Sequence, residues 1–327
     1  MIATLTVTFP FFALVLCGYL AARGGLLPLA AIPGMNTFVL FFALPCMLYR
    51  FGASTPIAQL LDPVLALTYL CCALVMVALA VWATRRGRIG WNDAAFGALV
   101  AAFPNTGFMG VPLLVALLGA QAAGPAIVTI LVDMVITSSL CIALSRLDLA
   151  LPGAPGVSVA QAAKNALKGV IANPMPWAVL SGALASAFAW HLPGPVANTV
   201  GLLADSASPV ALFTIGAVLA RSQMQAATGH ERALRWSEVV PVAAMKLFVH
   251  PLLVFAVGGA VMAYGLALHR SAWTVVVLVA ALPSASNVSM LAERFGADNG
   301  RIARIILVST SAAFLTFSAA VTWLTRP

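Results

Sequence analysis

Apolar residues run along this chain in stretches of about twenty, separated by short polar connectors, and the alternation occurs ten times. The stretches cover approximately residues 2–22, 32–50, 62–84, 93–118, 124–145, 173–190, 196–220, 239–266, 272–293 and 302–325. About twenty helical residues, each rising about 1.5 Å, cross a hydrocarbon core roughly 30 Å thick. Ten transmembrane helices are therefore predicted. The first run lacks a basic leading segment and an Ala-x-Ala cleavage site, so it reads as a spanning helix and not a signal peptide. The longest polar connector, from Arg146 to Asn173, holds Pro152, Gly153, Pro155 and Gly156, followed by a candidate interfacial helix over 161–169. It divides the chain into residues 1–150, a connector at 151–170, and residues 171–327, with five spans in each half.

Composition agrees with lipid as the main solvent. Of 327 residues, 62% are hydrophobic and 8% charged, and the mean hydropathy is +1.03. A soluble fold would need about a quarter of its residues charged. The net charge of +8 does not signal nucleic acid, because no basic stripe with interleaved aromatics accompanies it. The basic residues instead sort by connector. Arg23, Arg85, Arg86, Arg88, Arg146, Lys164, Lys168, Arg221, Arg232, Arg235, Arg294, Arg301 and Arg304 fall in one alternating set, and only Arg50, Arg270 and Arg326 in the other. The positive-inside rule places the first set in the cytoplasm and both termini outside. Cys17, Cys46, Cys71, Cys72 and Cys141 all lie in apolar runs without metal-ligand spacing, so no metal site is expected. Walker A, Gly-x-Ser-x-Gly and His-Glu-x-x-His motifs do not occur, which argues against an enzyme.

The two halves share a pattern. Ala-Leu-Val-Ala-Ala-Phe-Pro-Asn-Thr at 98–106 aligns with Val-Leu-Val-Ala-Ala-Leu-Pro-Ser-Ala at 277–285. Downstream, Gly119-Ala120 corresponds to Gly296-Ala297, and Ile130-Leu131-Val132 to Ile306-Leu307-Val308. An odd number of spans per half would insert the second copy upside down, as in many secondary transporters. The predicted fold is thus an all-α integral membrane protein of two inverted five-helix repeats, with spans 4 and 9 broken. The break in span 4 runs from Pro104-Asn105-Thr106-Gly107 to Gly110-Val111-Pro112; Pro112 has no N–H, and its ring clashes with the carbonyl of Phe108. Pro283-Ser284-Ala285-Ser286-Asn287 repeats the pattern in span 9. Pro10, Pro45, Pro209, Pro241 and Pro251 are expected only to kink their helices. Non-helical backbone at membrane depth is tolerated where protein or a water-filled cavity satisfies it. The new helix starts beyond each break, with positive dipole ends, suit a carboxylate. Asn105, Thr106, Gly107, Ser284, Ser286 and Asn287 are the candidate substrate-binding residues, with Pro104, Pro112 and Pro283 as pivots.

The run Pro104-Asn105-Thr106-Gly107-Phe108-Met109-Gly110-Val111-Pro112-Leu113-Leu114 resembles the Pro-Asn-Thr-x-x-Met-Gly-Ile-Pro-Leu segment of the auxin efflux carrier family, which includes plant carriers and bacterial proteins described as malonate transporters. The resemblance covers the whole chain and extends to the bile acid sodium symporter fold. It implies a scaffold domain from spans 1, 2, 6 and 7, a transport domain from spans 3–5 and 8–10, a homodimer formed through the scaffold, and residence in a bacterial inner membrane. The chain departs from the plant carriers in lacking their long central loop and in carrying Ser284-Ala285-Ser286-Asn287 where they have another sequence.

Charged groups inside spans are few. Lys246 lies deep in span 8, where a centred lysine costs about 2.5–3.5 kcal/mol on insertion scales, and His250 follows one turn later on the same face. Three roles fit the lysine: attraction of an anionic substrate, neutralisation of Asp133 or of half-helix carbonyl ends, or replacement of a coupling sodium ion. Asp133, in span 5, fits a coupling proton or a charge partner for Lys246. Asp205 is expected to cap span 7. No organic cofactor is called for, and the coupling ion is H⁺ or Na⁺. The expected function is secondary or facilitated transport of a small organic anion by alternating access. The alternatives are a ligand-binding sensor without transport, or a sodium-coupled carrier of a larger organic anion. Because thirteen basic residues stand against three, a tag placed after Pro327 is expected to react with membrane-impermeant reagents in intact cells; protection of the tag would overturn the orientation.

Overall fold

The computed structural model describes residues 2–55, 62–85, 89–147, 174–227 and 236–325; the interfacial helix expected at 161–169 and the connector around it lie outside them. The described residues form α1 (Ile2–Arg23), α2 (Leu29–Ser54), α3 (Pro63–Arg85), α4 (Trp91–Ala102), α5 (Thr106–Leu118), α6 (Ala120–Leu144), α7 (Pro174–Ala187), α8 (Gly194–Ala227), α9 (Trp236–Ala263), α10 (Arg270–Ala281), α11 (Asn287–Arg294) and α12 (Asn299–Leu324). Within α1, α2, α3, α6, α8, α9 and α12 lie stretches long and apolar enough to cross a membrane. Their outward faces carry large apolar side chains, including Leu67, Phe248, Leu252 and Leu315, each more than half exposed. Such a surface suits hydrocarbon.

Four helices widen for a single turn: α2 at Val39–Ala43, α5 at Thr106–Gly110, α6 at Asp133–Thr137 and α9 at Met245–Val249. The cause is legible in three of them. Pro45, Pro112 and Pro251 each stand two residues beyond the wide turn, where a missing N–H and a ring pressed against the carbonyl four residues back disrupt the regular ladder. In α6 no proline follows; the hydroxyl of Ser138 instead donates to the carbonyl of Asp133 at 2.8 Å. Gly119 and Gly296, aligned between the two halves of the sequence, share a left-handed backbone, with φ of 87° and 68°. Each follows the end of a helix, where the left-handed conformation favours glycine.

Two helix pairs approach backbone to backbone. In the contact of α1 with α8, a Cβ on Gly18 would sit 1.8 Å from the carbonyl oxygen of Phe213, and one on Gly216 would sit 1.8 Å from that of Val15. In the contact of α2 with α7, a Cβ on Gly182 would fall 2.4 Å from the carbonyl oxygen of Tyr49. Helices in lipid associate through such van der Waals packing, since burial of apolar surface gives them little advantage there. By contrast, α4 from Ala94 to Ala102 and α10 from Val275 to Ala281 are buried on every side, so these two short helices form the middle of the molecule.

Arg301, counted above among the connector cations, is buried in the first turn of α12. Its Nη1 donates to the carbonyl of Asp93 at 2.9 Å and its Nε faces the carbonyl of Glu238 at 3.4 Å. Gly97 leaves the room it occupies, since a Cβ there would meet Nη2 at 3.0 Å. The guanidinium thus ties the starts of α4, α9 and α12 together. Asp298 caps α12 by accepting from the Arg301 N–H at 3.0 Å, while its own N–H donates to Asp93 at 2.7 Å.

The glycine contacts predict that Gly216→Ala lowers the melting temperature in detergent, by an overpacking cost of about 1–3 kcal/mol. Gly259→Ala, which would meet nothing within 4 Å, is the control expected to leave it unchanged or raise it.

Candidate functional site

Between α4 and α5, Phe103 is extended, and between α10 and α11, Leu282 is extended. The residues that follow form one short antiparallel bridge, Pro104 with Ser284. The Asn105 N–H donates to the carbonyl of Pro283 at 2.9 Å, and the Ala285 N–H to that of Phe103 at 3.0 Å. Each non-helical segment thus supplies the backbone partner the other lacks. The remaining groups are taken locally. The Asn105 carbonyl accepts from Met109 and Gly110, and the Ser284 N–H donates to Ser309 Oγ on α12 at 3.2 Å. Ser208 on α8 faces the Phe108 carbonyl, the one Pro112 leaves without its ordinary donor, at 3.5 Å.

The predicted binding residues gather here. Asn105, Thr106 and Ser284 are buried, Gly107, Ser286 and Asn287 half-buried. The Asn105 side chain does not cap α5; its backbone does the bonding. Ser284 Oγ and Asn287 Oδ1 are buried without a hydrogen-bond partner, unusual for polar atoms sealed inside a protein. Two small cavities touch the site. One, of about 20 Å³, is lined by Asn105, Gly107, Phe108 and Asn287 and closed by Leu44 and Leu48 of α2. The other, of about 10 Å³, is lined by Phe108, Ser286 and Asn287 with Asn36 and Val39 of α2. Each has room for about one water and none for a carboxylate, so the site is closed in this conformation.

Lys246, Asp133 and His250 are all fully buried; of the partners the sequence offered Lys246, a helix-end carbonyl and His250 are bonded to it and Asp133 is not. Lys246 Nζ donates to the Ala280 carbonyl at 2.7 Å and lies 3.0 Å from His250 Nδ1. It sits at the carbonyl end of α10, where a cation complements the helix dipole, and it lines neither cavity. Asp133 takes hydroxyl donors instead, Tyr69 at 2.7 Å and Thr137 at 3.0 Å. The Tyr69 and His250 rings, 6.0 Å apart between centroids, bring the two clusters side by side. Among the described residues, the ion pair within 4 Å is Arg50 with Asp205, at 2.7 Å. The expectation that Asp205 caps its helix is therefore corrected: it lies inside α8, well past Gly194, and reaches across to α2.

Sequence reasoning passed over Tyr69, Thr137, Ser208 and Ser309. Tyr69 carried a signal, as a lone phenol in the middle of an apolar span. Ser309 directly follows the Ile306-Leu307-Val308 match, in register with Asp133 after Ile130-Leu131-Val132. Ser208 and Thr137 look like any hydroxyl bonding back along its own helix.

The family described as "Membrane transport protein" matches residues 4–321. A protein of Rhizobium meliloti (strain 1021) named "Putative malonate transporter" is 27% identical over 309 residues, covering 92% of this chain and 89% of its own. An "Uncharacterized transporter" of Methanothermobacter thermautotrophicus is 28% identical over 305 residues, covering 91% and 90%. "Auxin efflux carrier component 8" of Arabidopsis thaliana is 24% identical over 328 residues, covering 84% and 85%.

The hydroxyl–carboxylate contact predicts coupling between Tyr69→Phe and Asp133→Asn. In a double-mutant cycle read by melting in detergent, a coupling of about 0.5–3 kcal/mol is expected; additive losses would show that the two groups do not stabilise each other.

Proposed function

The chain belongs to the membrane transport protein family, and from that premise we propose that it carries a small organic anion, a mono- or dicarboxylate, across the membrane by alternating access. The observation that carries this reading is the bridge between Pro104 and Ser284, beside which Ser284 Oγ and Asn287 Oδ1 are buried without partners. A ligand bearing hydroxyl or protonated groups, or a water held by a carboxylate, would complete them. The helix starts of α5 and α11 converge on the same place and favour negative charge. The names borne by the relatives, malonate transporter and auxin efflux carrier, agree with a carboxylate.

In this proposal α4 with α5, and α10 with α11, are the two broken spans, and the chain makes ten crossings as two inverted repeats with both termini outside the cytoplasm. The scaffold comprises α1, α2, α7 and α8, locked by the Gly18–Gly216 and Gly52–Gly182 contacts, and is the surface through which two copies would pair. The transport domain comprises α3 to α6 and α9 to α12, held together by the bonds of Tyr69, Lys246 and Arg301. Lys246 acts from behind the site, fixing the end of α10 through Ala280. Asp133 is the group suited to a coupling proton, since it is a fully buried carboxyl whose bonded partners, Tyr69 and Thr137, carry no charge. Motion of the second body against the first would open the closed site to each side in turn.

Uptake of labelled malonate into proteoliposomes, with counter-exchange, tests the reading. Saturable binding without flux under any gradient would sink it and favour a sensor. Ser284→Ala and Asn287→Ala are expected to raise the apparent KM several-fold, for a lost hydrogen bond of about 0.5–1.5 kcal/mol. Neither should lower the melting temperature, because neither atom has a partner within the protein. Ser309→Ala, which strands the Ser284 N–H, should lower it.

A further inference from the structure

The two cavities at the site share a wall. Phe108 and Asn287 line both, while the remaining lining differs. Along α2, one cavity is bounded by Asn36, Val39 and Leu40 and the other by Leu44 and Leu48. Asn36 and Leu44 are eight positions apart, roughly 12 Å at about 1.5 Å of rise per residue. The first cavity lies toward the Leu29 end of α2 and the second toward its Ser54 end. The two are therefore successive along α2.

Phe108 is built to stand between them and to yield. It sits in the wide turn Thr106–Gly110, and its carbonyl has lost the regular donor at Pro112 and faces the Ser208 hydroxyl at 3.5 Å. Gly107 precedes it, and a Cβ there would find no atom closer than 3.9 Å. The ring is half-buried although its neighbours Thr106 and Met109 are fully buried. The ring borders both cavities, so a change to another rotamer would take it out of the wall they share.

We infer that Phe108 is the partition of the translocation path and the residue that sets the size of substrate admitted. This rests on the carrier reading above, which supplies a path to be divided. With Phe108 and Asn287 in place, the cavities of about 10 and 20 Å³ stay separate. Withdrawal of the ring joins them into one chamber, and the volume it vacates fixes how bulky a carboxylate can occupy that chamber.

The test uses the full chain with its five cysteines replaced, carrying Asn36→Cys or Leu48→Cys, with Phe108 retained or changed to Ala or Leu. A charged, membrane-impermeant thiosulfonate is applied to each face of oriented proteoliposomes. With Phe108 present, each cysteine should react from one face only; with Phe108→Ala, each should react from both. In flux assays on the same proteins, the preference for phenylacetate over malonate should rise about tenfold in Phe108→Ala and by an intermediate amount in Phe108→Leu. Phe108→Leu keeps an apolar filling and serves should the alanine variant fail to fold, as judged by gel filtration. One-sided labelling and an unchanged preference in the folded variants would overturn the partition. Should the protein with Phe108 carry neither carboxylate while the labelling pattern still changes, the partition stands and the carboxylate reading falls.

Discussion

In a bilayer, every backbone N–H and C=O that leaves a helix must find a partner within the protein, since lipid offers none. Here two proline-marked segments leave their helices at the centre of the molecule, and the pairing of Asn105 with Pro283 and of Ala285 with Phe103 keeps both from being costly. Neither segment could hold its shape alone. The burial of α4 and α10 on all sides follows, because two helix ends that must meet need surroundings that bring them together and keep them there.

The other irregularities are handled by hydroxyls placed one at a time. Ser309 takes the Ser284 N–H, Ser208 faces the Phe108 carbonyl, and Ser138 takes the Asp133 carbonyl. A hydroxyl suits this work because it donates or accepts by rotation and brings no charge. Charges are used more sparingly and are tied down harder. Lys246 is fixed by a carbonyl and an imidazole, Arg301 by two carbonyls. Lys246 binds the carbonyl end of α10, and Arg301 the first turns of α4 and α9, among Asp93, Glu238 and Asp298.

Much of this was legible in sequence because the signals were strong and local. The long apolar runs marked the helices, seven of which among the described residues are long and apolar enough to span, and Pro104 with Pro283 marked where helices stop. Pro45, Pro112 and Pro251 prefigured wide turns that read beforehand only as kinks or breaks. What escaped were partnerships between spans. For Lys246 a helix-end carbonyl was one of the partners foreseen, whereas the Tyr69 phenol on Asp133 was not, because a hydroxyl across a groove leaves no trace of distance in the sequence. Asp205 read as a cap from its place near a predicted helix start. The predicted span begins at 196, already nine residues before it, and the helix observed from Gly194 holds Asp205 in its interior, where it meets Arg50. The bridge between Pro104 and Ser284 was foreseeable as two breaks facing each other, but not as backbone pairing.

That pairing is made by main-chain atoms. Asn105 joins it through its N–H, Ala285 through its N–H, Phe103 and Pro283 through their carbonyls, so the side chains at these positions take no part in it. The joint itself then does not depend on the side chains of Phe103, Asn105 and Ala285. Exchange of the side chains at Phe103, Asn105 or Ala285 can thus re-line the middle of the molecule while the main-chain joint beneath them persists.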